Sequence, residues 1–180
     1  NRLEAYKGCL IGLAAGDALG YTVSNQSMEQ IRNNYGPGGL LGYDLVNGYA
    51  EITSYTQLAA FTANGLLFGL TRGQMTGRMA PFVNYVALSS KEWAASQRAW
   101  GRPNRSYCWL LTEDAICRRH CMDTRMLETL SRKNLGTLET PTNSYNGPYG
   151  LTSAIAVGLF YDEDRMDQWE IDRLGAEVVA

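Results

Sequence analysis

Apolar residues recur along this 180-residue chain at the three-to-four spacing of helices, and almost nowhere at the alternation of strands. The first such stretch predicts a helix reaching Gly20, with Gly8, Gly12, Gly16 and Gly20 on one face. Each helical glycine costs about 0.5–1 kcal/mol relative to alanine, so the bare strip is expected to admit the backbone of another helix. Ser27, with Gln30 three residues on, has the spacing of a capping box and predicts a short helix. Asn33–Gly39 ends that helix and opens a loop to about residue 52. Residues 54–72 read as a strongly apolar helix carrying Leu58, Phe61, Leu66, Leu67 and Leu70. A fourth helix is expected from Thr76 to Gln97, with Pro81 in its first turn or restarting it, and Gly101–Arg105 as a turn. Thr112 followed by Glu113 and Asp114 predicts a short capped helix, and Asp123 opens another to about Leu130. After a Gly/Pro/Asn loop at 132–150, Leu151–Tyr161 is an apolar helix and an amphipathic one starts at Arg165. The expected fold is all-α: a compact multi-helix bundle forming one domain over residues 1–180. The apolar stretch Leu174–Ala180 lacks a cap or polar tail. It sets the expectation that the bundle is incomplete at its C-terminus, finished by a C-terminal half or by a second copy.

Composition narrows the chemistry. The net charge is −2 and no basic cluster exceeds Arg118-Arg119, which argues against a nucleic-acid or anionic-membrane partner. No apolar run approaches the roughly 18 residues of a membrane span, and residues 1–20 lack the layout of a signal peptide, so a cytoplasmic protein is expected. Cys117 and Cys121 bracket His120, the single histidine, but a structural zinc site wants four N/S ligands from two separated pairs, and only Cys108 lies close in sequence. Reduced cysteines are the better reading, Cys9 as a small core residue, and the arginines beside His120 suggest an exposed helix end. Asp17 stands alone in an apolar run. It is read either as a cap, for its own helix or the next segment, or as a catalytic carboxylate whose pKa an apolar setting could tune.

Three segments together resemble the ADP-ribosylglycohydrolase family, which includes the dinitrogenase-reductase-activating glycohydrolases. They are Gly8–Gly20 followed by Ile31 and Tyr35–Gly39, Ala50–Leu58, and Leu135–Gly150 with Ala156–Phe160 behind it. Trp93 and Gln97 also fall where that family has a Trp and a Gln. The resemblance implies an all-α fold around two magnesium or manganese ions, hydrolysing the glycosidic bond between ADP-ribose and an arginine, a serine or a small molecule. Two dications attract hard oxygen ligands and activate a water, so the family supplies acids.

This chain departs from the family at the acids. The aspartate pair of the family's Thr-Asp-Asp-Thr motif falls on Ser54 and Tyr55, between Thr53 and Thr56. The family's loop glutamate falls on Ser24 or Asn25, and its Met-Arg on Thr152 and Ser153. A hydroxyl is neutral, and a phenol with a pKa of about 10 stays protonated at neutral pH. Thr53, Ser54 and Tyr55 are therefore degenerate metal positions at which no metal is expected. Ser54 and Gln57 also have the spacing of a capping box, which would close this helix start without metal. The reading is a family member that has lost activity yet could keep an ADP-ribose-like ligand on its glycine-rich turns, with Gly36, Gly38, Asn143, Gly147 and Gly150 as candidates. Two alternatives stand beside it: an active hydrolase completed elsewhere or served by acids such as Asp17 and Glu51, and a non-catalytic assembly module.

Overall fold

The structure, a computed structural model, describes residues 1–45, 47–98, 106–120, 123–142, 147–162, 164 and 166–180. The described residues form seven α-helices and two single 3₁₀ turns, an all-α architecture as the periodicity predicts. None of these helices is long and apolar enough to cross a membrane. The chain divides into two compact units, residues 1–56 and residues 57–180.

The first unit contains α1 (Arg2–Val23), α2 (Met28–Tyr35) and the first residues of α3 (Ser54–Thr76). Asn1 caps α1 by accepting from the Leu3 amide at 3.1 Å. The capping box of α2 forms as read: the Gln30 amide donates to Ser27 Oγ at 3.2 Å, and the Ser27 amide donates to Gln30 Oε1 at 2.7 Å. Gly36 takes φ +81° to leave that helix, a conformation that favours glycine, while its N–H closes on Arg32 O at 2.8 Å. Two phenols pin the following loop: Tyr43 donates to Ala15 O at 3.2 Å and Tyr35 to Asp44 at 2.6 Å. The glycine strip of α1 corrects its expectation. A Cβ built at Gly8, Gly12, Gly16 or Gly20 meets no atom of this unit within 4 Å, so no backbone of the unit uses the strip.

The second unit carries the rest of α3, then α4 (Phe82–Arg98), α5 (Thr124–Leu130), α6 (Tyr149–Phe160) and α7 (Gln168–Val179). Helix α4 packs on α5 and α7, and α6 on α7. One apolar cluster gathers Leu58, Phe61, Trp93, Cys108, Leu111 and Leu127; a second gathers Leu66, Val86, Val157, Ile171 and Leu174. Burying each large side chain stabilises the unit by about 1.5–3 kcal/mol. Close helix approach occurs here, at Gly65: an added Cβ would lie 2.7 Å from Val86 Cα and 2.8 Å from Tyr85 O.

Several boundaries differ from the sequence reading. Helix α3 runs past Arg72 to Thr76 and stops before Gly77, whose φ of +66° breaks the right-handed helix. Pro81 precedes α4 and sits outside its ladder. The segment opened by Thr112 is not an α-helix: Trp109–Thr112 and Asp114–Ile116 are separate 3₁₀ turns. Asp123 does cap α5, accepting from the Arg125 and Met126 amides at 3.0 and 3.3 Å. The last helix starts at Gln168 behind a capping box of Asp167 and Glu170, later than Arg165. The turn expected at Gly101–Arg105 lies outside the described residues.

Candidate functional site

The resemblance directs attention to the start of α3. A helix start exposes amides that lack intrahelical partners and carries partial positive charge, so it favours an anion. Here the anion is Asp17, delivered from α1 within the first unit. Its Oδ2 accepts from the Thr53 amide at 2.8 Å, the Thr56 amide at 3.2 Å and the Thr56 hydroxyl at 2.6 Å. Its Oδ1 accepts from the Thr53 hydroxyl at 2.7 Å. Thr53 Oγ1 in turn accepts from the Tyr55 amide at 3.3 Å. Charge-assisted hydrogen bonds are about twice as strong as neutral ones, so this cluster fixes where α3 begins.

The capping box expected from Ser54 and Gln57 does not form. Gln57 is fully buried, and its carboxamide is spent in the second unit. Its Nε2 donates to Arg118 O at 2.7 Å and its Oε1 accepts from the indole N–H of Trp93 at 2.9 Å. Gln97 joins them: its Nε2 donates to Arg118 O at 3.4 Å, and its Oε1 accepts from the His120 amide at 3.1 Å. Arg119 Nε donates to Gln97 O at 2.7 Å. Residues 117–120 are therefore a strand of irregular chain strapped to α4, not an exposed helix end. The resemblance locates Trp93 and Gln97 but not Gln57, which bonds the indole and shares the Arg118 carbonyl with Gln97. A fully polar carboxamide inside an apolar helix face was the available signal.

The donors at the start of α3 do not suit a pair of dications. Thr53 and Thr56 are neutral and already give their protons to Asp17, while Ser54 is a buried hydroxyl and Tyr55 a phenol. Asp17 carries a single negative charge already shared among four donors, whereas two hard dications need several anionic oxygens. Among the described residues, no group of three His, Cys, Asp or Glu side chains could hold a metal ion. Of Ser24 and Asn25, the two positions on which the resemblance sets the family's loop glutamate, Ser24 donates its hydroxyl to Tyr21 O at 2.9 Å. Thr152 turns its hydroxyl back onto Tyr149 O at 2.8 Å. Of the cysteines near His120, Cys117 donates to Leu110 O at 3.2 Å, and Cys121 lies outside the described residues.

The candidate ligand glycines fall in both units. Gly36 serves the end of α2, and Gly38 lies in the turn that follows. Gly150, in the first turn of α6, yields its bare face to Val179, whose Cγ1 would stand 2.6 Å from an added Cβ. Gly147 and Gly150 both line a cavity of about 500 Å³ within the second unit. Asn143 lies outside the described residues.

A protein-family model described as ADP-ribosylglycohydrolase matches residues 1–179. No curated protein and no solved structure matches the chain.

Proposed function

Because the chain belongs to the ADP-ribosylglycohydrolase family, we propose that it is a member in which metal-assisted hydrolysis has given way to a hydrogen-bonded closure of the same helix start. The observation that carries this reading is the engagement of Asp17 by two amides and two hydroxyls of Thr53 and Thr56. A carboxylate with that many donors serves α3 as a cap. The neutral side chains at Ser54 and Tyr55 support the same conclusion from charge. Release of ADP-ribose from ADP-ribosyl-arginine and ADP-ribosyl-serine peptides, with magnesium or manganese present, tests it. No release above the buffer rate is expected. Metal-dependent release that disappears in Asp17→Asn would overturn the proposal and restore Asp17 as a catalytic residue.

Binding without turnover is a second reading, supported by the position of Gly147 and Gly150 on the cavity of the second unit. Backbone amides at such glycines can face phosphate oxygens. Calorimetric titration with ADP-ribose is expected to give saturable heat unaffected by magnesium; absence of heat at millimolar ligand removes this reading and leaves an assembly role.

A further inference from the structure

An open groove of about 730 Å³ runs along α7 in the second unit, bounded by that helix, the start of α4 and the loop at 135–139. It shares no lining residue with the cavity on which Gly147 and Gly150 lie. Its deeper side belongs to the second apolar cluster, with Leu174 buried and Phe82 and Met166 half-buried. Three large apolar side chains stand open on the same groove: Leu135 is 39 %, Leu138 46 % and Trp169 66 % exposed. Exposed apolar surface gathered in one place, rimmed by charge, marks a surface that meets a partner. The described charged side chains on the groove are Glu139, Glu170, Glu177 and Arg173. Arg173 is already committed, with Nε 2.8 Å from Glu177 Oε1 and its guanidinium carbon 5.4 Å from the centroid of the Trp169 ring. Glu139 and Glu170 form no ion pair with a described basic side chain. Bonds from its own amide and from the Thr137 hydroxyl hold the Glu139 carboxyl below its ordinary 4.5, so it is ionised at neutral pH. Glu170 spends Oε2 on the Asp167 amide at 3.0 Å and keeps its charge. The described lining thus carries a net charge of −2, as much as the whole chain, concentrated beside an open indole.

We infer that this groove docks a basic peptide segment of a partner protein, its lysine or arginine stems laid along Trp169 and Leu138 and its cationic heads meeting Glu139 and Glu170. Long basic side chains suit both parts of the surface, because their methylene stems cover apolar area while the head stays at the charged rim. The indole adds attraction for a cation over its face. An acidic segment would meet uncompensated carboxylates, and a purely apolar one would strip water from Glu139 and Glu170 with nothing in return. The inference is independent of hydrolysis and of ADP-ribose, since it uses no residue of the α3 start or of the glycine-lined cavity.

Fluorescence anisotropy of labelled peptides titrated with the full chain tests it, using Gly-Arg-Leu-Lys-Gly as the basic probe and Gly-Glu-Leu-Glu-Gly as its acidic counterpart. The basic peptide is expected to bind saturably and to weaken as salt is added, and the acidic one to give no binding. Trp169→Ala, at an exposed position, should weaken the basic peptide about tenfold. Glu139→Gln and Glu170→Gln should each weaken it about threefold; glutamine at 170 still completes the capping box, so α7 keeps its start. Asp172→Asn removes the same charge from α7 at a residue outside the groove and should leave binding unchanged. Absence of saturable binding at millimolar protein would overturn the inference. So would equal binding of the acidic peptide, or a loss in Asp172→Asn as large as in Glu139→Gln, which would reduce the effect to overall charge. Self-association of the chain that Trp169→Ala abolishes would also overturn it, by giving the groove to a second copy.

Discussion

Residues 56 and 57 are neighbours on α3, yet they belong to two polar clusters built on opposite principles. Thr56 joins Thr53 around the carboxylate of Asp17, one charge with four short donors. Gln57 joins Trp93, Gln97 and the Arg118 carbonyl in a network without a charge on any acceptor. The charged cluster satisfies a helix end, where partial positive charge already exists and an anion is welcome. The neutral one sits in the apolar core, where an unpaired ion would be costly and each carboxamide atom must find a mate. Negative charge at the start of α3 is thus matched to backbone amides and hydroxyl protons. A cation site would need more anions than the helix itself can use.

The neutral cluster should be the more sensitive to truncation, because the Trp93 ring is fully buried as well as bonded. Trp93→Ala should cost about 3–5 kcal/mol in denaturant unfolding, combining a cavity with the orphaned Gln57 oxygen. A loss under 1 kcal/mol would mean that α4 does not depend on this anchor. Asp17→Ala, which strands two amides and two hydroxyls, should cost less, about 2–3 kcal/mol. Its loss should be concentrated in amide-exchange protection at Thr53 and Thr56, whose amides donate to Asp17; unchanged protection there would contradict the capping role. Thr53→Val removes only one donor and one acceptor from the same cluster and should cost about 1 kcal/mol by the same unfolding measurement.

The smallest effect concerns an ionisable group on the neutral side. Cys108 shares the apolar cluster with Trp93, and burial pushes its thiol from the ordinary 9.0 up to about 12. The unfolded chain then loses this proton first. Stability from the neutral thiol is fully present below pH 9 and is lost as pH rises toward 12. Cys108→Ala should therefore show a shallower fall of the unfolding midpoint over that window than the parent does. Parallel pH profiles would show that Cys108 ionises as readily folded as unfolded.

Local signals were legible where a helix end depends on its own sequence. Ser27 with Gln30 and Asp123 before α5 each act within three residues, so spacing alone identifies them. Duties set by distant partners were not. Gln57 has the spacing of a capping partner for Ser54, but Trp93 and Arg118 draw its carboxamide inward. The glycines show the same limit. Gly8, Gly12, Gly16 and Gly20 share the four-residue spacing of Gly65, Gly69 and Gly73 in α3. Only the α3 set meets atoms closer than 3 Å to an added Cβ, from Val86, Tyr85 and Met79. Spacing marks a face as bare; what lies against it is decided by tertiary packing. Asp17 was legible as an acid needing partners, and its choice of Thr53 and Thr56 required the fold.

Manganese binding tests the account at its centre. Titration of the metal-free protein with Mn²⁺, followed by the electron paramagnetic resonance of the free ion, counts tight sites directly. The free-ion signal should rise from the first addition and be the same in the parent and in Thr53→Val. Two ions withdrawn per chain at micromolar metal, and released by Thr53→Val, would contradict it.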